Sequence, residues 1–430
     1  MIVIIGAGIT GLVLAHELAR RGVEFVVLEA ASVPGGVVRT IEVGGRLFET
    51  GPQRTRLVPA VAALVGELGL GDELVTAPSG LPLYVYKAGR LREVPFSIGA
   101  AFRTDLVSWP GKLRILFEPL TAGERPDESV AAFLTRKFGR EAYESMLGPL
   151  YGGLYASDPA DMLMRTTLSR ALETFGVGGS LLAALARRAR GRRPGRGPGP
   201  GRVRVADGGA PACSFRGGMA ALPDALYRAH RDRVRLGAPA RALRRDGGRW
   251  VVETDAGDMA ADDVVLTVPA DAAATLLAGA APDAAARIGR LTYNPLAIVY
   301  LDAELDRPAM GYQVAFGEAL ETRGVTFNAH LFGRAGVYTA FLGGAKNPRL
   351  VDLPDDRLGD IAAAEFEAVT GRPARPVHVE RVRMPAWDRS WTAIEGLTPP
   401  PGLHLAASWE SRAGVPGRIA RARELAAELA

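Results

Sequence analysis

The sequence predicts an α/β fold joined to an α+β part, on three observations. Ile2–Ile5 is a continuous β-branched run ending in Gly6-Ala7-Gly8-Ile9-Thr10-Gly11, and Leu12, Leu14, Ala15, Leu18 and Ala19 follow at helical spacing. Glu24–Leu28 is a second buried-type strand closed by Glu29, which completes a β-loop-α-β unit. Further on, a helical pattern over about 97–190 gives way to alternating strand-like runs over about 291–382, so a mixed sheet with a helical insertion is expected beside the first unit.

At 430 residues the chain is long enough for two or three domains, each able to bury a core. Hydrophobic residues make up 48% and charged residues 23%, which excludes a disordered, collagen-like or coiled-coil chain. Net charge is +5, and only four of the 52 basic residues are lysine (Lys87, Lys112, Lys137 and Lys346). This arginine bias reflects base composition in the gene, and no nucleic-acid partner is expected. A mildly basic surface does permit contact with anionic lipid. Cys213 is the one cysteine, so an internal disulfide and a cysteine-based metal cluster are excluded; no metal is expected, and a reducing compartment is. No run of about 18 apolar residues occurs, and the apolar opening Met1–Ile5 lacks a basic start. The expectation is a cytoplasmic protein that rests at most on the inner face of the cell membrane.

The remaining elements follow in order. Gly44-Gly45 is a hairpin turn leading to Phe48-Glu49-Thr50-Gly51-Pro52, and Val58–Leu70 places Val61, Leu64, Val65 and Leu68 on one helical face. Lys87-Ala88-Gly89 joins strands Leu83–Tyr86 and Arg90–Val94. Within the helical stretch, Trp109, Leu113, Leu116 and Phe117 form a stripe beside Lys112 and Arg114, a pattern that is core more often than a membrane face. Residues 187–212 are rich in Arg, Gly and Pro and predict a flexible loop. Order resumes at Ser214-Phe215-Arg216-Gly217-Gly218-Met219, before an amphipathic helix through Leu222, Leu226 and Tyr227. Strands are expected around Val234, Ala240–Leu243, Trp250–Glu253, Val264–Val268, Ala297–Leu301, Tyr338–Leu342 and Leu403–Ala407. A last helix is expected over Ile419–Ala430, after a Gly414-Val415-Pro416-Gly417 turn. The histidines His16, His230, His330, His378 and His404 are scattered and show no ligand pair. His330 is a candidate pocket residue, with a structural histidine the plainer reading.

A pyrophosphate carries charge that must be met without bulky side chains in the way. Glycine at 6, 8 and 11 permits the tight turn, the close approach of backbone N–H groups and tight helix-on-strand packing, while the helix N-terminus supplies positive potential. Glu29, at a strand end beyond the last glycine, can accept both hydroxyls of a ribose and would repel a phosphate on it. A purely structural glycine turn would need neither the second strand nor the acid. A dinucleotide site is expected.

Leu28-Glu29-Ala30 followed by Pro34-Gly35-Gly36 and Arg39-Thr40 resembles the second half of the FAD fingerprint of the amine-oxidase-like flavoprotein superfamily, and Gly217-Gly218 falls where that superfamily opens a helix. Gly51-Pro52, the run from Leu150 to Pro159, Phe341-Leu342-Gly343-Gly344 and the tail Gly414-Val415-Pro416 look like the protoporphyrinogen oxidase family within it. The resemblance implies FAD as cofactor, bound by a Rossmann-like domain of the amine-oxidase/glutathione-reductase type built from residues 1–56, 213–285 and 395–430. It also implies a mixed-sheet substrate domain from 57–96 and 286–394, and a helical, membrane-associating domain over 97–190. Its cofactor contacts carry over to Gly6, Ala7, Gly8, Ile9, Thr10, Gly11, Glu29, Ala30, Gly35, Gly36, Val37, Arg39, Gly51, Pro52, Gln53, Arg54, Ala240, Trp387, Ala413, Gly414 and Val415. Its substrate contacts carry over to Gly153, whose backbone faces the substrate, to Phe341, which sandwiches the ring, and to Gln313, Thr326 and Arg56.

The activity so implied is the oxygen-using oxidation of a porphyrinogen, protoporphyrinogen IX or coproporphyrinogen III, in haem biosynthesis. It asks little of catalytic acids or bases, since the cofactor takes the hydride. A homodimer is compatible with it. The sequence departs from the family at Leu81, where an arginine would grip a propionate, and at Gln313 and Thr326, where apolar residues would pack on the ring. Gly417-Arg418 also replaces the family's Asp-Cys pair. Either Arg54, Arg56 or Arg92 takes over the anchor, or the ligand differs. Two other readings stay open: an amine oxidase, disfavoured because Leu296–Asp302 holds no lysine, and a flavoprotein that binds a tetrapyrrole without turnover.

Overall fold

Four aliphatic residues in a row leave a strand with no face for water. Accordingly Ile2–Ile5 (β1) is wholly buried as the middle strand of a five-stranded parallel sheet. The order is Val234–Arg235, Phe25–Leu28 (β2), β1, Asp263–Leu266 and Leu403–Leu405. The computed structural model describes the chain except residues 122, 126, 170, 171, 173–178, 185–209 and 411–413. Most of the Arg/Gly/Pro-rich stretch, and Ala413, therefore lie outside the described residues. Two compact units are formed, Met1–Ala77 with Gly208–Leu291 and Ser390–Ala430, and Pro78–Asp207 with Thr292–Arg389.

In the first unit the helix Ile9–Arg20 (α1) is buried from Ile9 to Leu18. Its core also takes in residues of Pro59–Glu67, Ala221–Ala229 and Val415–Glu428. Cutting a fully buried Leu14 to alanine there would cost about 2–5 kcal/mol. The last helix starts at Val415 rather than at Ile419. Gly414 supplies the positive φ of 84° that precedes it, and Pro416 sits in the first turn, where its missing N–H costs nothing. Glu17 on α1 accepts hydrogen bonds from Arg21 at 2.7 Å and Arg423 at 2.8 Å, and Arg423 also meets Glu67 at 2.9 Å. Burial pushes the Glu17 carboxyl up, but those guanidinium bonds outweigh it and hold it below the usual carboxylate value. The hairpin Thr40–Val43/Arg46–Glu49 turns on Gly44 and Gly45 at φ 58° and 75°. Ala212 opens a strand to Phe215, so regular structure begins inside the stretch read as a loop to residue 212.

The second unit holds a seven-stranded sheet in the order Ala374–Pro385, Tyr293–Ala303, Val337–Gly343, Thr322–Thr326, Gly311–Val314, Leu83–Lys87 and Arg90–Glu93. Neighbours are antiparallel apart from Gly311–Val314 beside Leu83–Lys87. One sheet face packs on the helix Asp355–Thr370, joining Tyr312, Val325, Tyr338 and Ala340 to Leu358 and Phe366. The helices Ile98–Arg103, Trp109–Leu116, Val130–Phe138 and Gly148–Tyr155 belong to this unit too. The stripe on Trp109–Leu116 is not core: Trp109 is 66%, Leu113 57% and Leu116 51% exposed. No helix among the described residues is long and apolar enough to cross a membrane.

His330 is a structural histidine. Its ring accepts from Ala309 N–H at 3.3 Å, lies 3.1 Å from the Leu305 carbonyl and meets Phe327 and Tyr338 edge-on. His16 and His230, scattered in the sequence, do come together, with Nδ1 and Nε2 3.1 Å apart. Burial lowers the pKa of both below 6.5. Glu67, 3.5 Å from His16, and Glu17 oppose the shift at His16 while Arg20 adds to it; at His230, His16 and Arg233 add to it and Asp232 opposes it. A folded pKa below the unfolded one means that the unfolded chain binds more protons in acid, so stability falls as pH drops below about 6.5. The melting temperature should decline through that range, and His16→Gln should flatten the decline. An equally steep decline in the variant contradicts the assignment.

Candidate functional site

The glycines of the first loop divide into two kinds. A Cβ at Gly11 would stand 2.0 Å from the Gly6 carbonyl oxygen, and one at Gly6 would stand 2.6 Å from Thr267 Oγ1, so both are glycine because the protein itself fills the space. Gly8 differs. Its φ is an ordinary −71°, and among the described residues no atom lies within 4 Å of where its Cβ would go. Gly8 is the N-cap of α1, whose first turn has no capping side chain and no acidic residue. Open space in front of uncapped N–H groups at a helix N-terminus suits a phosphate group.

The second glycine pair closes on the first. Gly35 N–H donates to the Ala7 carbonyl at 2.8 Å, Gly8 and Gly35 form a bridge, and a Cβ at Gly36 would come within 3.3 Å of Gly8 Cα. Glu29, half-buried after β2, accepts Ala7 N–H at 2.7 Å and Ala31 N–H at 2.8 Å, one on each oxygen. Each oxygen keeps a lone pair for a ribose hydroxyl. Gly237 and Ala238 donate to the carbonyls of Ala31 and Glu29 at 2.8 Å, which sets Ala240 at the start of its strand beside the Glu29-Ala30 turn. A Cβ at Gly51 would lie 1.9 Å from the Val37 carbonyl oxygen, and Thr50 N–H donates to Arg39 O at 3.0 Å, so Val37, Arg39, Gly51 and Pro52 are neighbours. Gln53 is buried and donates to the carbonyls of Glu49 at 2.9 Å and Gly51 at 3.1 Å.

These residues suit FAD as the resemblance describes it. Ile9 and Thr10 open α1, and Val415 packs in the core that α1 also lines. Burial, then the adjacent Arg56, holds the half-buried Arg54 guanidinium below its usual value. Trp387 lies in the second unit, buried and at φ 52°, and Arg56 in the first, exposed and donating to Ala210 O at 3.0 Å.

Two residues of this unit escape sequence reading. Glu49 is fully buried, takes Met219 N–H at 3.0 Å and Thr40 Oγ1 at 2.7 Å, and so ties the hairpin to the Gly217-Gly218 turn. An acid ending an apolar strand before Gly51-Pro52 is the signal for it. Arg418 is also buried, donates to the Ala407 carbonyl, and is drawn down by burial to about 10.

In the second unit, register gathers the expected substrate residues. Val85, Gln313, Gly324, Phe341 and Ile298 sit side by side across five strands, and Thr326 pairs with Gly311 and Thr339. Tyr312, Val325 and Ala340 fill the core face, so Gln313, Thr326 and Phe341 share the other face. Gly153, on the helix Gly148–Tyr155, lies against it, for a Cβ there would be 2.6 Å from Gln313 Oε1. Ser157, just beyond this helix, donates to the Ala386 carbonyl at 2.6 Å and accepts from Asn294 Nδ2 at 2.8 Å. A separate cavity of about 330 Å³ among the helices is lined by Phe133, Lys137, Leu150, Tyr151 and Leu154 among others, and by none of the sequence-assigned residues.

The two kinds of glycine predict two phenotypes. Gly8→Val should fold with a near-normal melting temperature and retain no flavin, whereas Gly11→Val should fail to fold. A Gly8→Val protein with full flavin content contradicts the cradle. Glu29→Ala removes the acceptor of Ala7 N–H, worth about 1–3 kcal/mol. Flavin retention should fall by about tenfold or more in that variant, measured by ultrafiltration.

The family model described as flavin containing amine oxidoreductase matches residues 9–429. Protoporphyrinogen oxidase 1 of the Spinacia oleracea chloroplast is 28% identical over 401 residues, 86% of this chain and 71% of that protein. The chloroplast protoporphyrinogen oxidase of Oryza sativa subsp. japonica is 30% identical over 389 residues, 83% and 72% of the two chains, and that of Homo sapiens is 28% identical over 357 residues, 77% and 73%. Among solved structures, a protoporphyrinogen oxidase candidate from Exiguobacterium superposes with a TM-score of 0.78 at 23% identity, covering 100% of this chain and 98% of that one. Putrescine oxidase bound to putrescine gives 0.72 at 17%, with the same coverage, and these two share the fold. With the family model matched from residue 9 to residue 429, the chain belongs to the flavin-containing amine oxidoreductases and is an FAD-dependent oxidase.

Proposed function

We propose that this oxidase takes hydride from a methylene bridge of a porphyrinogen, with oxygen as the final acceptor. The observation that carries the reading is the sheet face of Gln313, Thr326 and Phe341 with Gly153 laid against it. None of these four side chains titrates near neutral pH, and the neighbouring strand Tyr293–Ala303 holds no lysine. A face of this kind can shape and orient a flat macrocycle but cannot act as acid or base. Bound FAD supplies the two-electron acceptor and the route to oxygen. Each round removes a hydride and an N–H proton from the substrate and reduces one oxygen to hydrogen peroxide, so this chain need only position the ring and let protons leave to water. Phe341 and the bare backbone at Gly153 offer flat contact, while the Gln313 amide and Thr326 hydroxyl can pair with pyrrole N–H groups or a carboxylate. The names of the plant and human relatives support the same substrate class.

The exposed face of Trp109–Leu116 supports peripheral contact with a membrane. Trp109, Leu113 and Leu116 are exposed, Leu120 beyond them is 81% exposed, and Lys112 Nζ sits 4.5 Å from the Trp109 ring centre. Apolar residues beside cations on a short surface helix match an interfacial helix.

Two experiments test these readings. Mixed without oxygen, protoporphyrinogen IX or coproporphyrinogen III should bleach the flavin absorption band and raise porphyrin fluorescence. A flavin that dithionite reduces but neither porphyrinogen does would contradict the assignment and leave a binding protein. In sedimentation with anionic vesicles, the double variant Leu113→Gln with Leu116→Gln should move from pellet to supernatant; equal partition of both proteins would remove the membrane face.

A further inference from the structure

The leucine at 81 leaves a carboxylate-bearing substrate without the family's cation, and two of the arginines expected to replace it are engaged elsewhere. Arg56 is tied to the Ala210 carbonyl at 3.0 Å, and Arg92 is ion-paired with Asp105 at 3.1 Å. In the second unit one guanidinium stands in a different state. Arg323 lies at a break in strand register: Thr322 pairs with Leu342 and Gly324 with Phe341, so Arg323 is the extra residue of a bulge. Bulges turn a side chain out of the ladder's alternation. Its guanidinium rests over the Phe316 ring at 5.8 Å, and Phe316 packs against Gly148, where a Cβ would be 2.5 Å from its ring. It is therefore turned toward the helix that carries Gly153, on the side of the sheet where Gln313, Thr326 and Phe341 lie.

Arg323 has no carboxylate within ion-pair distance among the described residues. The acids in its field are Asp158, which accepts Ala160 N–H at 2.8 Å, and Glu321, which accepts Asn347 Nδ2 at 3.1 Å, both beyond ion-pair distance; Glu365 caps the N–H groups of Glu321 and Thr322 at 2.8 Å. A second cation, Lys346, lies nearby with its ammonium on the Leu320 carbonyl at 3.2 Å. Burial draws both cations below their usual values, and the charge of Arg323 further lowers Lys346. A half-buried guanidinium that rests on an aromatic ring, has a like charge nearby and has its counter-charges Asp158 and Glu321 beyond ion-pair distance is stabilised further by an incoming anion.

We propose that Arg323, with Lys346 as a second cation beside it, is the anchor for a carboxylate of the substrate. The inference rests on the porphyrinogen reading and assigns the propionate contact that Leu81 cannot make. The macrocycle would then lie across Gly324 and Phe341 with one carboxylate over the bulge.

The FAD-loaded protein is titrated with protoporphyrin IX and, separately, with its dimethyl ester, following the porphyrin absorption band. The full-length wild type should bind the free acid about tenfold or more tightly than the ester. Arg323→Gln should bring that ratio close to one without loss of flavin, Arg323→Lys should restore part of it, and Lys346→Gln should reduce it less. In turnover, Arg323→Gln should raise KM for the porphyrinogen and leave kcat near its wild-type value. A ratio unchanged by Arg323→Gln, with porphyrin still bound, overturns the anchor and leaves the porphyrinogen reading standing. A wild type that binds both forms equally well also overturns the anchor, independently of whether any variant folds. A wild type that binds neither form and oxidises no porphyrinogen overturns both readings.

Discussion

The helix α1 can lie against β1 only because Gly11 carries no side chain. A single carbon there would meet the Gly6 carbonyl at 2.0 Å. That contact fixes the start of the helix over the end of the strand, and the rest of the first unit is arranged around it. The N-terminal N–H groups then face the open space in front of Gly8, and the buried side of the helix shares a core with residues of the final helix. The open helix N-terminus and the return of the C-terminal segment are two consequences of one close approach.

Segments far apart in sequence are held at this site by buried or half-buried charge rather than by apolar packing alone. Glu49 links the hairpin to the Gly217-Gly218 turn, and Glu17 with Glu67 clamps Arg423 of the last helix. Glu49 and Glu17 are buried, and each has donors around it that repay the cost of desolvation. Losing a partner there would leave a buried charge stranded. The second unit follows another logic. Its candidate substrate face of Gln313, Thr326 and Phe341 is neutral, and the charges near it are those of Arg323, at the bulge, and Lys346.

What the sequence shows well is what is local. The glycine loop, the acid after β2 and the Gly44-Gly45 hairpin are each read within a dozen residues, because backbone demands at those places leave few residue types. The start of the last helix at Val415 is masked by the turn-like composition of Gly414-Val415-Pro416-Gly417, although a first helical turn accepts proline. Periodicity found the stripe on Trp109–Leu116 but could not say whether anything covers it. The contact of His16 with His230, and the row joining Gln313 to Phe341, arise from pairing between distant segments and have no local signature. Arg323 was invisible for a related reason. A sequence displays every arginine alike, and only the structure shows that Arg56 and Arg92 are engaged while Arg323, among the described residues, has no carboxylate within ion-pair distance.

A cradle built in this way should take up one FAD. Stripping the purified protein of bound nucleotide, adding FAD in excess and weighing what the folded chain keeps after exhaustive filtration tests it most directly. One equivalent should be retained, with a yellow protein as the product. A folded, colourless chain that keeps none would contradict it.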